Sequence, residues 1–519
     1  MPSKQNQRIT KSIRFQVPVF QILVFILLPL HVFGQDLQES CTIGVAAAAA
    51  TADGRPLIWK SRDAGSTYHQ VLYDTTDRYE FIAVVNAGTG VVSMGVNEKG
   101  FAIVNAEAPD LPNGEAGPGN LATLRQALGT CTTVVDFEQL LDSTNTTGRQ
   151  THANMAVLDA SGAAVMFEIG GSMYWKFDAN DSTVAPEGYI LRTNFAWNGD
   201  GTGGGYERYN RQRDLVSEFH SGDSLNYRSL ARHQLRDFSD LLSRPIPVPF
   251  PQQWAPEIPF GYVYTNVSIC RYWTVSAVVI QGVIPGEPPE LSTMWTLLGH
   301  PATAITIPYW PIGQAPPEAG DLIAPLCDTA NKIKGLLFND DRYIDYIDSY
   351  KLLDGQGGGL WTHTFPAEDS IFSAAETLLT DWRSDTLDTN EMLATEGTFA
   401  RYALSVLDEA YEELATLKLP TSKETIYAGI VLEKNYPNPF NATTTIRYHV
   451  PQPTEVTLIA YDVLGREVAR LVNSYTEPGY HQAVWNGRDP GGRELPSGVY
   501  IARLVTPEYS RSIKMVLLK

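Results

Sequence analysis

Residues 41–63 read CTIGVAAAAATADGRPLIWKSRD, from Cys41 to Asp63. The run after Thr42 is apolar and stops at Thr51-Ala52-Asp53-Gly54, where Asp-Gly supplies the backbone freedom of a tight hairpin turn. Residues 57–59 then begin a returning strand, so a sheet starts at Cys41. Working outward, 79–85, 90–94 and 101–105 continue the strands, with Asn97-Glu98-Lys99-Gly100 as a turn. Helical spacing appears at 121–128 and 134–141, followed by a second hairpin over 152–158 and 163–169 and a strand at 189–194. Further helices are expected at 207–219 and 229–242. The proline-rich stretch 245–259 is irregular, 274–281 is a β-branched strand, and 390–417 is a helical tail. Strands, then helices, then strands again predict a layered α+β fold rather than a doubly wound parallel sheet.

The chain has 519 residues, 43% of them apolar, and a formal net charge of −19. That length exceeds one typical domain, and the acidic balance argues against a phosphate-neutralising surface, so no nucleic-acid partner is expected. Histidines are scattered without HExxH spacing. Cys41, Cys131, Cys270 and Cys327 form no CxxC pair, so neither a metal nor a cofactor is expected. The last three cysteines read as core thiols or as one disulfide among them. The glycines of 199–205 are not followed by Lys-Ser/Thr and read as a loop, one able to cover a pocket. Met173, Tyr174 and Trp175 read as core.

Lys4, Arg8, Lys11 and Arg14 precede an apolar run at 17–33. This predicts a secretory signal over residues 1–34, since Pro18, Gln21, Pro29 and His31 interrupt the run as a spanning helix. No later segment is suited to cross a bilayer, so the mature chain is expected to carry no integral span. Residues 35–40 are polar and read as a short pro-segment. Cleavage before Cys41 would give that residue a free α-amine of pKa ~7.7–8.0, a base able to take the proton of its own thiol. One residue would then supply both nucleophile and base. The bland alternatives are a buried thiol or half of a disulfide.

Cys41-Thr42-Ile43, the Asp53-Gly54 turn and Lys60-Ser61-Arg62-Asp63 resemble the opening of N-terminal-nucleophile (Ntn) amidohydrolases. That group holds penicillin V acylases, choloylglycine hydrolases and acyl-CoA:6-aminopenicillanic acid acyltransferases. The resemblance implies a four-layer αββα sandwich over 41–419, with the family's basic residue at Lys60 and its aspartate at Asp63. Asp63 would hold the Cys41 amine or thiol, and a cation beside it, Lys60 with help from Arg62, would favour thiolate. The bland reading of Arg62 and Asp63 is a solvated pair at a strand end. Residues 95–101 resemble the family's turn and strand, which puts Asn105 near the nucleophile. Leu191-Arg192-Thr193-Asn194 resembles the strand end where an asparagine amide meets the oxyanion, and Arg208 is the match for a later arginine. Asn105 and Asn194 could instead be turn residues, and Arg208 part of a surface helix face. The implied substrate is a small-molecule acyl amide.

After a linker at 420–428, residues 429–519 change to short alternating strands with Gly and Pro turns, the pattern of a small β-sandwich. Leu432-Glu433-Lys434-Asn435-Tyr436-Pro437-Asn438-Pro439-Phe440, Tyr461-Asp462-Val463-Leu464-Gly465-Arg466 and Leu495-Pro496-Ser497-Gly498-Val499-Tyr500 closely resemble type IX secretion sorting domains. Such domains are Ig-like sandwiches. The resemblance implies the type IX machinery as a partner and a secreted or outer-surface location on a Gram-negative cell. The competing reading is a noncatalytic surface or matrix binding protein exported by the same route.

Overall fold

The computed structural model describes residues 40–416 and 431–518, apart from 254, 256–257, 356, 385–386, 433–434, 436–437, 442, 451–452, 464, 477–478 and 508–509. The expected signal at 1–34, most of the pro-segment and the linker at 420–428 lie outside the described residues.

The hairpin opens the fold as β1 (Thr42–Ala46) and β2 (Leu57–Asp63), followed by β3 (His69–Asp74), β4 (Phe81–Asn86), β5 (Val92–Asn97) and β6 (Ala102–Glu107). Two helices, α1 (Asn120–Thr130) and α2 (Val134–Thr147), precede β7 (Ala153–Leu158), β8 (Ala164–Ile169), β9 (Tyr174–Asp178) and β10 (Tyr189–Arg192). Then come α3 (Tyr206–Ser221), the single turn α4 (Tyr227–Ser229), β11 (Tyr262–Tyr264), β12 (Thr274–Gln281), β13 (Thr293–Leu298) and β14 (Ile307–Tyr309). The short α5 (Pro317–Gly320), α6 (Pro325–Leu337), β15 (Tyr346–Asp348), α7 (Leu360–Ser384) and α8 (Thr389–Thr416) complete this part.

Two antiparallel sheets carry the architecture, one ordered β10-β1-β2-β12-β13-β14 and the other running β3 to β9 in sequence order. They face one another across a shared apolar core that takes Ile43 and Val45 from β1, Ile58 from β2 and Ile82 and Val84 from β4. The alternate residues of β4, Phe81, Ala83 and Val85, pack on the other side against Leu124, Leu128, Phe137 and Leu141 of α1 and α2. Burial on both faces is why FIAVVN reads as a continuous apolar run instead of an alternating one. On the outer face of the first sheet, Gln212 of α3 accepts from Trp59 Nε1 at 3.0 Å and donates to the Ile43 carbonyl at 3.1 Å. Helix, sheet, sheet and helix thus stack as layers. Gly44 is required by this packing, because a Cβ there would sit 2.1 Å from the Trp59 ring.

Several expectations need correction. The helix expected over 229–242 stops at Gln234 after a π-turn. Beyond it Arg236 and Asp237 are drawn into buried ion pairs with Glu368 and Arg211, and tertiary pairing overrides helical propensity. Strands β3 and β9 and helices α6 and α7 were not legible as periodic segments. All four cysteines are free and buried, so no disulfide forms among Cys131, Cys270 and Cys327. Met173 is 47% exposed and is not core.

The C-terminal segment adds β16 (Val431–Leu432), β17 (Thr444–Val450), β18 (Thr454–Asp462), β19 (Glu467–Thr476), β20 (Gly479–Trp485), β21 (Gly498–Val505) and β22 (Ser510–Leu517). They form two antiparallel sheets, β16-β17-β20 and β19-β18-β21-β22, around their own core of Phe440, Ile446, Leu458, Trp485, Ala502 and Met515.

Candidate active site

The register of the first hairpin fixes what gathers around Cys41. Thr42 lies opposite Ser61, Gly44 opposite Trp59, and the Ser40 amide donates to the Asp63 carbonyl at 3.4 Å. Cys41 therefore falls beside Arg62 and Asp63 at the open edge of the sandwich, where β10 also ends. Cys41 is fully buried, and its nitrogen is still a peptide amide joined to Ser40.

Two arginines organise this edge. Arg208, in the first turn of α3, donates from Nη1 to the Cys41 carbonyl at 2.7 Å and to Thr42 Oγ1 at 2.9 Å, and from Nη2 to Asn194 Oδ1 at 2.8 Å. The surface-helix reading of Arg208 is thereby overturned: it is 4% exposed. Its pKa is pushed down to about 10, first by burial and then by the charge of Arg271, against the opposing pull of Asp63 and Cys41. Gly205, which caps this helix with φ +85°, makes the approach possible, since a Cβ there would lie 2.4 Å from Arg208 Nη2. The glycine-rich loop thus has a specific steric role at its last residue.

Arg271 is the second, and it was not apparent from sequence. Its Nε donates to Asp63 Oδ2 at 2.6 Å and its Nη2 to the Ser40 carbonyl at 3.2 Å, while Thr274 Oγ1 donates to Asp63 Oδ1 at 2.6 Å. The signal that could have found it is a basic residue three positions before a β-branched strand, at the same edge as Asp63.

Lys60 is therefore not the cation at Asp63. Residues three apart on a strand point to opposite faces, so Asp63 faces Arg271 and Thr274 while Lys60 reaches across the sandwich. Its Nζ donates to Asn105 Oδ1 at 2.8 Å and to the Ser93 carbonyl at 3.2 Å. Lys60 and Asn105 are thus brought together, both buried within strands, which also removes the turn reading of Asn105. The solvated-pair reading of Arg62 and Asp63 fails as well: both are buried, on opposite faces of β2.

Asn194 follows directly on β10 and is held at both ends, with Oδ1 on Arg208 and Nδ2 donating to the Glu107 carbonyl at 2.8 Å. Asn154 Nδ2 braces the neighbouring Thr193 and Phe195 carbonyls at 3.0 and 2.9 Å. One residue earlier, Arg192 makes a fully buried pair with Glu168 at 2.8 Å. Breaking such a pair costs ~3–5 kcal/mol because one charge is left buried alone, so the strand end bearing Asn194 is rigid. Among the described residues no group of three or more His, Cys, Asp or Glu is placed to hold a metal ion.

Residues 51–246 match the family model of acyl-coenzyme A:6-aminopenicillanic acid acyl-transferase, a span that contains Lys60, Asp63, Asn105, Asn194 and Arg208. The match supports a relationship to Ntn-hydrolase-like enzymes and amide-bond hydrolysis or acyl transfer as the chemistry. No curated protein matches the chain. Among solved structures, penicillin V acylase from Agrobacterium tumefaciens is similar at 13% identity and a TM-score of 0.31, over 52% of this chain and 85% of that one. A conjugated bile acid hydrolase from Clostridium perfringens is similar at 12% identity and a TM-score of 0.31, over 50% and 89%. PorZ of Porphyromonas gingivalis, a surface component of the type IX secretion system, is similar at 24% identity and a TM-score of 0.14 over 18% of this chain. This chain spans only 12% of the length of PorZ. Similarity this low carries no assignment.

Proposed function

We propose that this chain is an exported amide hydrolase or acyltransferase that frees Cys41 as its N-terminal nucleophile by cutting its own Ser40–Cys41 bond. The observation that carries the reading is the Arg271 guanidinium, which touches the Ser40 carbonyl and the Asp63 carboxylate at once. A charged donor on the carbonyl next to a buried thiol is placed to stabilise an oxyanion, and a donor of that kind is worth ~2.7–4 kcal/mol of barrier.

In self-processing, Cys41 Sγ attacks the Ser40 carbonyl carbon. The Ser40–Cys41 C–N bond breaks, a thioester forms, and the nitrogen leaves as the Cys41 α-amine carrying the thiol proton. Water then hydrolyses the thioester, leaving a Ser40 carboxylate. The same parts serve an amide substrate. The α-amine takes the thiol proton, Sγ attacks the acyl carbon, and the proton returns to the departing amine. The acyl thioester passes to water or to a second amine. Asp63 positions the α-amine, Asn194 and Arg271 meet the oxyanion, and Arg208 holds the Cys41 main chain and Asn194 in register.

Export is part of the proposal. It is supported by the basic and apolar opening of residues 1–34 and by the resemblance of 429–519 to type IX sorting domains. No helix among the described residues is long and apolar enough to cross a membrane.

Intact mass of the exported protein tests the reading. A chain beginning at Cys41, and a Cys41→Ala variant that stays joined to Ser40 and turns over no amide, are the expected results. A wild-type chain that keeps Ser40 yet hydrolyses amides overturns the mechanism. An acyl-amide library of varied chain length then identifies the substrate.

A further inference from the structure

Cys41 sits across β1 and β2 from Arg62. Thr42 faces Ser61 and the Ser40 amide reaches the Asp63 carbonyl, which leaves Arg62 as the residue opposite Cys41. Facing residues of an antiparallel pair project to the same side with Cβ atoms ~4.5–5.5 Å apart. That side is the interior of the sandwich, where Arg62 meets the second sheet: its Nη1 donates to His69 Nε2 of β3 at 2.5 Å and to Asn86 Oδ1 of β4 at 2.7 Å. His69 is anchored in turn, its backbone amide donating to Cys327 Sγ of α6 at 3.4 Å.

We propose that Arg62, clamped by His69 and Asn86, is the cation that keeps the Cys41 thiol ionised, and that His69 and Asn86 are its positioning residues. This rests on the reading of Cys41 as the nucleophile. Both clamping groups are uncharged, so they aim the guanidinium without spending its charge. Burial, followed by the charge of Arg62, pushes His69 down to about 3, which keeps the imidazole neutral and able to accept.

The other charges at this edge are engaged elsewhere. On β2, Lys60 is bound to Asn105 and the Ser93 carbonyl, and Asp63 to Arg271. Arg208 of α3 holds main chain and Asn194. On the facing sheet, Glu107 pairs with His152 at 2.8 Å and Glu168 with Arg192. A buried guanidinium beside a thiol lowers its pKa by a unit or more from ~8.5.

The test is the pH dependence of Cys41 alkylation by iodoacetamide in the processed full chain, read by mass on the residue-41 peptide so that Cys131, Cys270 and Cys327 do not interfere. Arg62→Met is expected to raise the inflection by about one pH unit or more and to slow alkylation near pH 7 about tenfold. Because that change empties a buried site, Asn86→Asp is the second variant. It keeps shape and hydrogen bond but sets a carboxylate against the guanidinium, and it is expected to raise the inflection in the same direction. A purely structural role for Asn86 leaves the thiol profile where it was.

A folded Asn86→Asp chain that no longer cuts before Cys41 also supports the proposal, because that cut uses the same thiolate. Profiles of both variants that overlay wild type overturn it. Failure of the functional reading looks different: wild type then turns over no amide, while the alkylation inflection still reports whether Arg62 acts on the thiol.

Discussion

At the scale of single residues, the site is a set of short-range commitments made by buried cations. Arg271 links the carbonyl to be attacked with Asp63, so Arg271→Met removes a charged donor from the oxyanion position. Self-cleavage of the purified precursor, followed by mass, is expected to slow about 100-fold or more; an unchanged rate would remove Arg271 from the chemistry. Gly205 makes a separate point. Its φ of +85° and its closeness to Arg208 Nη2 both exclude a side chain. Gly205→Ala is expected to cost ~1–2 kcal/mol through the left-handed backbone alone and to displace Arg208 from the Cys41 carbonyl. A lowered Tm together with slower processing is the expected pair of results, and a lowered Tm with normal processing would confine Gly205 to stability.

At the scale of elements, β2 shows how a strand sorts its own side chains. Leu57, Ile58 and Trp59 read as core, yet Lys60, Arg62 and Asp63 are just as buried, each satisfied on whichever face the pleat gives it. Helix α8 shows a different solution. Glu396 is buried and accepts from the Trp310 amide at 2.7 Å, while its Oε2 has no hydrogen-bond partner among the described residues. Burial raises its pKa from 4.5 to about 8. A carboxyl whose pKa is higher folded than unfolded binds more protons in the native state, so its stabilising effect is full below about pH 4.5 and is lost as pH rises through about 8. Glu396→Gln keeps the acceptor and removes the titration. Its Tm is expected to match wild type near pH 5 and to exceed it at pH 8, with the difference growing by at most ~1.4 kcal/mol per pH unit. Parallel Tm curves across that range would place the titration elsewhere.

At the scale of the whole molecule, the two-sheet enzyme core and the C-terminal strands close separate apolar clusters. The sorting role proposed for 429–519 therefore predicts separable functions. A chain ending at residue 416 is expected to process at Cys41 and turn over amides at wild-type kcat/KM when made in the cytoplasm with residues 1–34 removed. The full-length precursor lacking only 429–519 is expected to stop in the periplasm. Cell fractionation with an activity assay checks both, and loss of turnover in the shortened chain would show that the C-terminal strands support the catalytic part.

The amino-acid sequence by itself determined the opening hairpin, the position of Cys41 at its head, the Asp63, Asn105 and Asn194 candidates on their strands, and the change of composition after residue 420. These are local signals: turn chemistry, alternation and the order of residues along one strand. It also held Arg208 as a candidate, but not its burial. Tertiary structure alone decided which charge meets which. Arg271 lies 208 residues from Asp63, and Arg208 lies 167 from Cys41. The i, i+3 spacing that suggested Lys60 as the partner of Asp63 puts the two on opposite faces of β2. Helices α6 and α7 and strand β9 were likewise hidden, because their residues form regular structure through burial against neighbours that no local window contains. Pairing in a buried site is a property of facing surfaces, and those exist only once the two sheets have closed on one another.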